Sequence, residues 1–175
     1  KVHTSCCTIR HMLAEVTAHK SIDLKNADAD DQRRVWLPFH FLPGGRGRSI
    51  DDKIVCGKDS PIAGEMVHRN LQTASTAAYG HHLMGITAHV YADTFAHYGF
   101  IGANHSHNAI RKKSLKTTTD SDDIRDYIWG KAKRMFDNIL ASAISDAFPL
   151  GHGVVATFPD RPYLRWEYRR EHDGK

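Results

Sequence analysis

Three side chains that follow one another at intervals of four residues, His89, Asp93 and His97, have the types and the spacing of metal ligands. Residues four apart in a helix lie about 6 Å from each other on one ridge. Imidazole nitrogens and carboxylate oxygens suit Zn²⁺, and also Mn²⁺ or Fe²⁺. Because the ridge spreads over about 80° of the helix, one metal ion is expected to take two of the three side chains. A second metal ion or a ligand from a loop would then complete the set.

The charge pattern around Asp93 supports a metal site. Asp93 is the only Asp, Glu, Lys or Arg between Arg69 and Arg111, so we expect a buried helix over about residues 76–100 without a solvated face. A buried carboxylate is costly unless neighbouring groups compensate its charge. A bound metal ion is the preferred interpretation. The alternatives are a buried ion pair between Asp93 and a protonated histidine, and a chance polar face.

Other members of the 13 histidines in this chain of 175 residues are candidates to complete the ligand set. His82 precedes the motif by one heptad, and a role without metal is favoured for it. His40 lies between two phenylalanines, and His152 between two glycines, where the backbone can approach a ligand closely. A ring bonded to a backbone carbonyl is an equal alternative for His40 and a slightly weaker one for His152. Residues 11–19 repeat the spacing as His-x-x-x-Glu-x-x-x-His, but this ridge lies opposite the apolar residues and predicts a solvated face.

The elements that position these residues are predicted to be mainly helical. Apolar residues recurring at three and four positions predict helices over residues 8–20, 76–100 and 120–149, and a further helix begins at Ser60 and Pro61. Residues 23–34 are expected to form a loop, and residues 35–43 an extended connection, because prolines bar them from a central strand. Residues 163–171 are expected to begin a last helix. The expected fold is a mainly α helical bundle around a central buried helix, with long ordered loops.

Composition describes an ordinary globular domain, with 41% hydrophobic and 25% charged residues. We expect residues 1–175 to form one domain, alone or within a longer chain. No apolar run approaches the roughly 18 residues of a membrane span, and the first residues lack a secretory signal, which slightly favours the cytoplasm. The net charge of +4 is scattered, and only residues 161–170 mix basic and aromatic side chains, which is weak evidence against nucleic-acid binding. Three cysteines, two of them adjacent, do not make a disulfide framework. The oligomeric state stays open.

Four segments carry a resemblance to a known family. The segments VWLPFHFLPGG, DDKIVCGKDSPIA, GITAHVYADTFAHYGF and GHGVVATFPDRPYLRWEY resemble an uncharacterised bacterial family of domains of unknown function. The His-x-x-x-Asp element is similar, more distantly, to zinc-dependent phospholipase C and the S1/P1 nucleases, all-α enzymes that cut phosphate esters with a cluster of zinc ions. This resemblance implies that His89 and Asp93 are metal ligands and that His97 is a third.

The function that we expect from these observations is metal-dependent hydrolysis of phosphate esters, by a phospholipase C-like enzyme or a phosphodiesterase. The substrate would be a small molecule or a lipid, Asp93 and His97 would be catalytic, and a metal-activated water would be the nucleophile. Arg161 or Arg111 would neutralise the phosphate. One alternative is a non-catalytic helical binding module with a structural His/Asp site. Another is a toxin or effector domain of a longer protein.

Overall fold

The computed structural model of this chain describes residues 29–111, 114–118, 121–127, 129–130, 133, 158–159, 161 and 164–171. Of the described part, 55% is helical, and its strands form one two-stranded sheet, so the prediction of a mainly α fold is confirmed. The helix predicted over residues 8–20 and most of the helix predicted over 120–149 lie outside the described residues. Within the described ranges, no helix is long and apolar enough to cross a membrane.

The elements follow one another along the chain in an order that places the short helices first and the sheet last. They are α1 (Ala29–Asp31), a π-helix (Gln32–Trp36), α2 (Leu37–Phe39), α3 (Ile50–Ile54), α4 (Pro61–Ala74), α5 (Gly80–Ala96), a 3₁₀ turn (Ser106–Asn108), β1 (Lys116–Thr118) and β2 (Arg165–Glu167). Residues 122–127 are also helical.

The helix predicted at Ser60 and Pro61 is confirmed as α4. The Ser60 hydroxyl accepts a hydrogen bond from the Ala63 amide, and Pro61 occupies the first turn, where its missing N–H costs nothing. α4 packs against α5. A hydrogen bond of 2.8 Å from the Asn70 side-chain amide to the Thr87 hydroxyl joins the two helices.

α5 is shorter and less buried than the sequence predicts. It begins at Gly80 and ends at Ala96, and Gly99 follows with a φ of +85°, a conformation that glycine adopts without strain. The prediction of a helix without a solvated face is wrong, because Phe95 is 43% exposed and Ile86 36% exposed. The residues of α5 that are buried are Gly80, Thr87, Val90 and Thr94. A helix with apolar or small side chains on every face has no hydrophobic periodicity. Its sequence therefore does not show which face is buried against neighbouring elements.

Residues 29–39, which lead to His40, are helical, although a loop was predicted over residues 23–34 and an extended connection over residues 35–43. Residues 23–28 of the predicted loop lie outside the described residues. The chain passes from α1 through the π-helix to α2. Pro38 lies in the first turn of α2, where a proline does not interrupt the helical hydrogen bonds. After α2, Gly44 donates to the Val55 carbonyl at 2.7 Å. A Cβ on Gly44 would lie 2.9 Å from the Cα of Gly57, so glycine permits this close approach of the two segments.

The hydrophobic core lies where the chain leaves α5 and meets the sheet. Its buried members are Phe41, Cys56, Phe100, Ile110, Leu115, Phe158 and Leu164. β1 and β2 pair antiparallel, with Lys116 opposite Glu167 and Thr118 opposite Arg165. The prediction of a helix over residues 163–171 is therefore wrong. Trp166 and Tyr168 pack against the core while Arg165 and Glu167 are exposed, which is the two-residue alternation of a strand.

Candidate metal centre

The candidate metal centre joins α5 to the end of α2. Asp93 Oδ2 lies 2.9 Å from His40 Nδ1 and 3.5 Å from His89 Nε2. Among the described residues, His40, His89 and Asp93 form the group whose potential ligand atoms all lie within 4.8 Å of one another. Two of these ligands come from one helical ridge, because His89 and Asp93 are one turn apart, as the sequence predicts. The third comes from a residue 53 positions earlier in the chain.

His40 is held in place by its own turn and by neighbouring rings. The Trp36 carbonyl accepts hydrogen bonds from the amides of His40 and Phe41, each at 3.0 Å. The Trp36 and His40 rings lie 5.0 Å apart, and the His40 and His89 rings meet edge to face at 5.0 Å. Phe41, which follows directly, is buried in the core. The core therefore fixes the backbone from which the His40 ring projects.

His97 acts on the centre through the backbone of His40. Its Nδ1 donates to the His40 carbonyl at 2.7 Å, and its ring stacks on Phe41 with centroids 4.7 Å apart. Because a carbonyl oxygen only accepts, Nδ1 of His97 carries a proton. The same nitrogen lies 3.7 Å from Asp93 Oδ2. The described contacts thus make His97 a brace between the end of α5 and His40, and its predicted role as a metal ligand stays a prediction.

Two of the separations within the donor group can be compared with those around a small divalent ion. Two donor atoms bound to one Zn²⁺ at about 2.0 Å in a tetrahedron lie about 3.3 Å apart. The 3.5 Å between His89 Nε2 and Asp93 Oδ2 is close to this value. The 2.9 Å between His40 Nδ1 and Asp93 Oδ2 is shorter than this value and is the length of a hydrogen bond. Nitrogen and carboxylate donors suit Zn²⁺, Mn²⁺ or Fe²⁺.

The centre lies at the surface on one side and against the core on the other. The side chains of His40 and Asp93 are 13% and 17% exposed, whereas the His89 side chain is 46% exposed. Cys56 lies on the buried side, where burial raises the pKa of its thiol to about 12 and the charge of Asp93 contributes. The Cys56 thiol is therefore protonated at neutral pH in the metal-free protein. Water can reach the centre from the side of His89.

The profile of one protein family, described as a family of unknown function, matches residues 2–175 of this chain. The chain belongs to the DUF6765 family. Comparison with the curated proteins and with the solved structures gave no match to this DUF6765 protein. The family places the chain among proteins of unknown function, so the chemistry of the site has to be argued from its own geometry.

The sequence predicts further site residues for this DUF6765 protein. No described contact joins them to the group of His40, His89 and Asp93. His82 is exposed on α5, and His152 lies outside the described residues. The Arg161 guanidinium lies over the Tyr127 ring, with 6.0 Å to the centroid. Arg111 lines a groove beside the sheet. The predicted roles of these residues stay predictions.

Two features of the site have no clear signal in the sequence. The first is the direct contact between His40 and Asp93, for which the only hint was a histidine between aromatic residues in a segment bounded by prolines. The second is a polar cluster after α5, in which His105 Nδ1 accepts from the His107 amide and His105 Nε2 lies 3.5 Å from Asp51 Oδ2. With two potential ligands, this second cluster is smaller than the centre at Asp93.

Proposed function

We propose that this DUF6765 protein is a metal-dependent hydrolase of phosphate esters, with one ion held by His40, His89 and Asp93. The observation that carries the proposal is the convergence of these three donors, from two separate elements, within 4.8 Å of one another. Zinc is the first choice of metal for two imidazoles and one carboxylate, with manganese or iron as the next choices.

The exposure of the donor group favours a catalytic over a structural site. Structural zinc sites take four protein ligands, whereas catalytic sites take three and leave one position for water or substrate. The described part of the chain offers three donors, and the half-exposed His89 ring borders solvent. A bound divalent ion in such a site supplies an activated water at neutral pH and polarises a phosphoryl oxygen.

The chain's own residues have separate tasks in this proposal. Asp93 supplies negative charge, and in the metal-free chain its contact of 2.9 Å with Nδ1 holds the His40 ring beside it. His97 is a positioning residue: its bond to the His40 carbonyl fixes the backbone of that ligand. In the alternative predicted from the sequence, His97 itself binds the metal ion and takes part in catalysis. Its ring would then have to bind the ion as well as donate to the His40 carbonyl.

The choice of phosphate esters as substrates rests on the resemblance of the His-x-x-x-Asp element to zinc-dependent phospholipase C and the S1/P1 nucleases. Small-molecule and lipid phosphate esters both fit that chemistry. This substrate class goes beyond the metal centre and is tested separately from it.

A second candidate function is a non-catalytic binding module in which the same residues form a structural network. The observation that favours it is that His40 and Asp93 are already hydrogen-bonded, and that His97 Nδ1 has an acceptor in the His40 carbonyl. A buried polar network with satisfied groups stabilises a fold without any metal.

Metal content distinguishes the two functions. Elemental mass spectrometry on the purified full chain should find close to one equivalent of metal in the wild type and little in Asp93→Asn or His89→Gln. His81→Gln is a matched control, because His81 is an exposed histidine of the same helix outside the group. Circular dichroism should show that all variants fold. If neither the wild type nor the control takes up Zn²⁺, Mn²⁺ or Fe²⁺, the network reading stands and the hydrolase proposal fails.

Activity is then measured on the loaded protein. Bis(4-nitrophenyl) phosphate and 4-nitrophenyl phosphorylcholine are suitable first substrates, because they report phosphodiester cleavage by a nucleophilic water. Turnover that is lost in Asp93→Asn and kept in His81→Gln supports the proposal. A loaded protein that cleaves neither compound would retain the metal centre but overturn phosphate esters as the substrate class.

A further inference from the structure

A groove beside the sheet presents basic side chains that the metal centre does not use. It has a volume of about 500 Å³ and is lined by Arg111, Ser114, Lys116, Glu167, Tyr168 and Arg169. Three cationic side chains and one carboxylate leave its lining with a net charge of +2. Its volume lies within the range of about 300–1,000 Å³ that is usual for small-molecule sites.

The floor of the groove is built by the backbone and by one hydroxyl. The Arg111 amide donates to the Arg169 carbonyl at 2.8 Å, which places the two arginines opposite each other on neighbouring segments. The Ser114 hydroxyl donates to the Arg111 carbonyl at 2.6 Å and accepts from the Arg169 amide at 2.8 Å. These bonds fix the spacing of the two segments from which the arginine side chains leave.

The two arginines have no anionic partner in the part of the chain that the structure describes. Lys116 lies 3.6 Å from Glu167, an exposed pair that contributes little. No ion pair or side-chain hydrogen bond is recorded for the guanidinium of Arg111 or of Arg169 within the described ranges. Like charges at opposed positions of two hydrogen-bonded extended segments destabilise the pairing. An anion between the two guanidiniums would remove this repulsion.

The geometry of the ligand follows from the side chains. A guanidinium donates two parallel hydrogen bonds to a phosphate, and two guanidiniums together match the oxygens of one phosphate group. Sequence-independent binding of single-stranded nucleic acid would also use aromatic rings that stack on bases. Trp166 and Tyr168 do not offer them, because their rings pack against the core and stack on each other at 5.3 Å.

We propose that this groove binds a phosphate monoester, with its phosphate between Arg111 and Arg169. The ligand is a soluble phosphorylated molecule or the headgroup of an anionic lipid, since both offer the same terminal phosphate. The groove is separate from the three-residue metal group, and the proposal does not depend on metal binding or hydrolysis there.

The test is carried out on the full chain carrying Asp93→Asn, so that phosphate bound to a metal ion does not contribute. Isothermal titration calorimetry at low salt measures the affinity for glycerol 3-phosphate. Co-sedimentation measures binding to phosphatidylcholine vesicles with and without phosphatidic acid. We expect binding of at least one probe that falls about tenfold in Arg111→Gln and in Arg169→Gln, since each loses charge-assisted hydrogen bonds. Arg46→Gln, which removes an exposed charge elsewhere, should leave binding unchanged.

The outcomes separate the sources and test the geometry. Binding of glycerol 3-phosphate supports a soluble ligand, and binding of phosphatidic acid vesicles alone supports a lipid headgroup. Absence of binding to both probes, or an equal loss in Arg46→Gln, would overturn the proposal. Arg169→Lys keeps the charge and removes the guanidinium fork, so full affinity in this variant would refute the phosphate bridge. Because these side chains are exposed, circular dichroism of each variant should match that of the parent.

Discussion

Zn²⁺ should stabilise the wild-type protein and should not stabilise Asp93→Asn. The asparagine side chain has the same shape as aspartate, and its oxygen can still accept the hydrogen bond of 2.9 Å from His40 Nδ1. The metal-free fold is therefore kept. Asp93→Ala differs, because it leaves the His40 N–H without its acceptor at a position that is only 13% exposed. We expect this variant to lose about 2 kcal/mol of stability without metal, the usual contribution of a hydrogen bond to a charged group.

The size of the zinc effect follows from mass action. With free Zn²⁺ at about 100 times its dissociation constant, a single site that exists only in the folded state adds about 2.7 kcal/mol. In a domain of this length, 1 kcal/mol shifts Tm by about 2–4 °C, so Tm should rise by about 5–11 °C. Thermal unfolding followed by circular dichroism, with His81→Gln as control, measures the shift. A rise of the same size in Asp93→Asn, or no rise in the wild type with Zn²⁺ or Mn²⁺, would refute the assignment of this centre.

Three further predictions concern the support of the fold. Asn108→Ala should lower the free energy of unfolding in urea by about 3 kcal/mol, because the fully buried Asn108 side chain makes three hydrogen bonds to the backbone after α5. The control Asn104→Ala, at an exposed residue of the same loop, should change this free energy little. Equal losses in the two variants would contradict the prediction. Cys56, whose pKa burial raises to about 12, should resist iodoacetamide at pH 8 in the native protein and react in urea, as peptide mapping by mass spectrometry can show; rapid native labelling would contradict its burial. Hydrogen bonds from Ser49 lower the pKa of Asp52 below its usual value, so Asp52 adds stability that is present above about pH 4 and is lost as the pH falls through its folded-state pKa. The unfolding free energy should therefore fall less between pH 7 and pH 3 in Asp52→Asn than in the wild type. An equal fall in both proteins would argue against this link.

The parts of the site that the sequence predicts are those fixed by local geometry. The start of α4 at Ser60 follows from a capping side chain and a proline, both of which act within one turn. His89 and Asp93 lie on one ridge because both belong to α5, where 3.6 residues per turn set their relation. A period of this kind needs no knowledge of the rest of the fold.

The contacts of His97 were harder to predict from the helical period, because α5 ends there. His97 is the C-cap residue, with φ of −102° and ψ of 8° instead of helical values. Its Nδ1 lies 3.7 Å from Asp93 Oδ2 and donates to the His40 carbonyl, a contact that the helical period alone does not predict. The contact between His40 and Asp93 was beyond local reasoning for a different reason. It joins residues 53 positions apart, and their distance depends on how α2 packs against α5.

The turn that follows α5 connects the metal centre to the segment after β2. This connection determines which arginine can be substituted to test anion binding in the groove. The Gly99 carbonyl accepts hydrogen bonds from His107 Nε2 and from the Arg170 guanidinium, which also bonds to the His107 carbonyl. Substitution of Arg170 would therefore disturb the turn two residues after His97, and with it the backbone that braces His40. The neighbouring Arg169 is exposed, and its side chain makes no such bond within the described part of the chain. Loss of anion binding in an Arg169 variant can thus be assigned to the groove, whereas the same loss in an Arg170 variant could not.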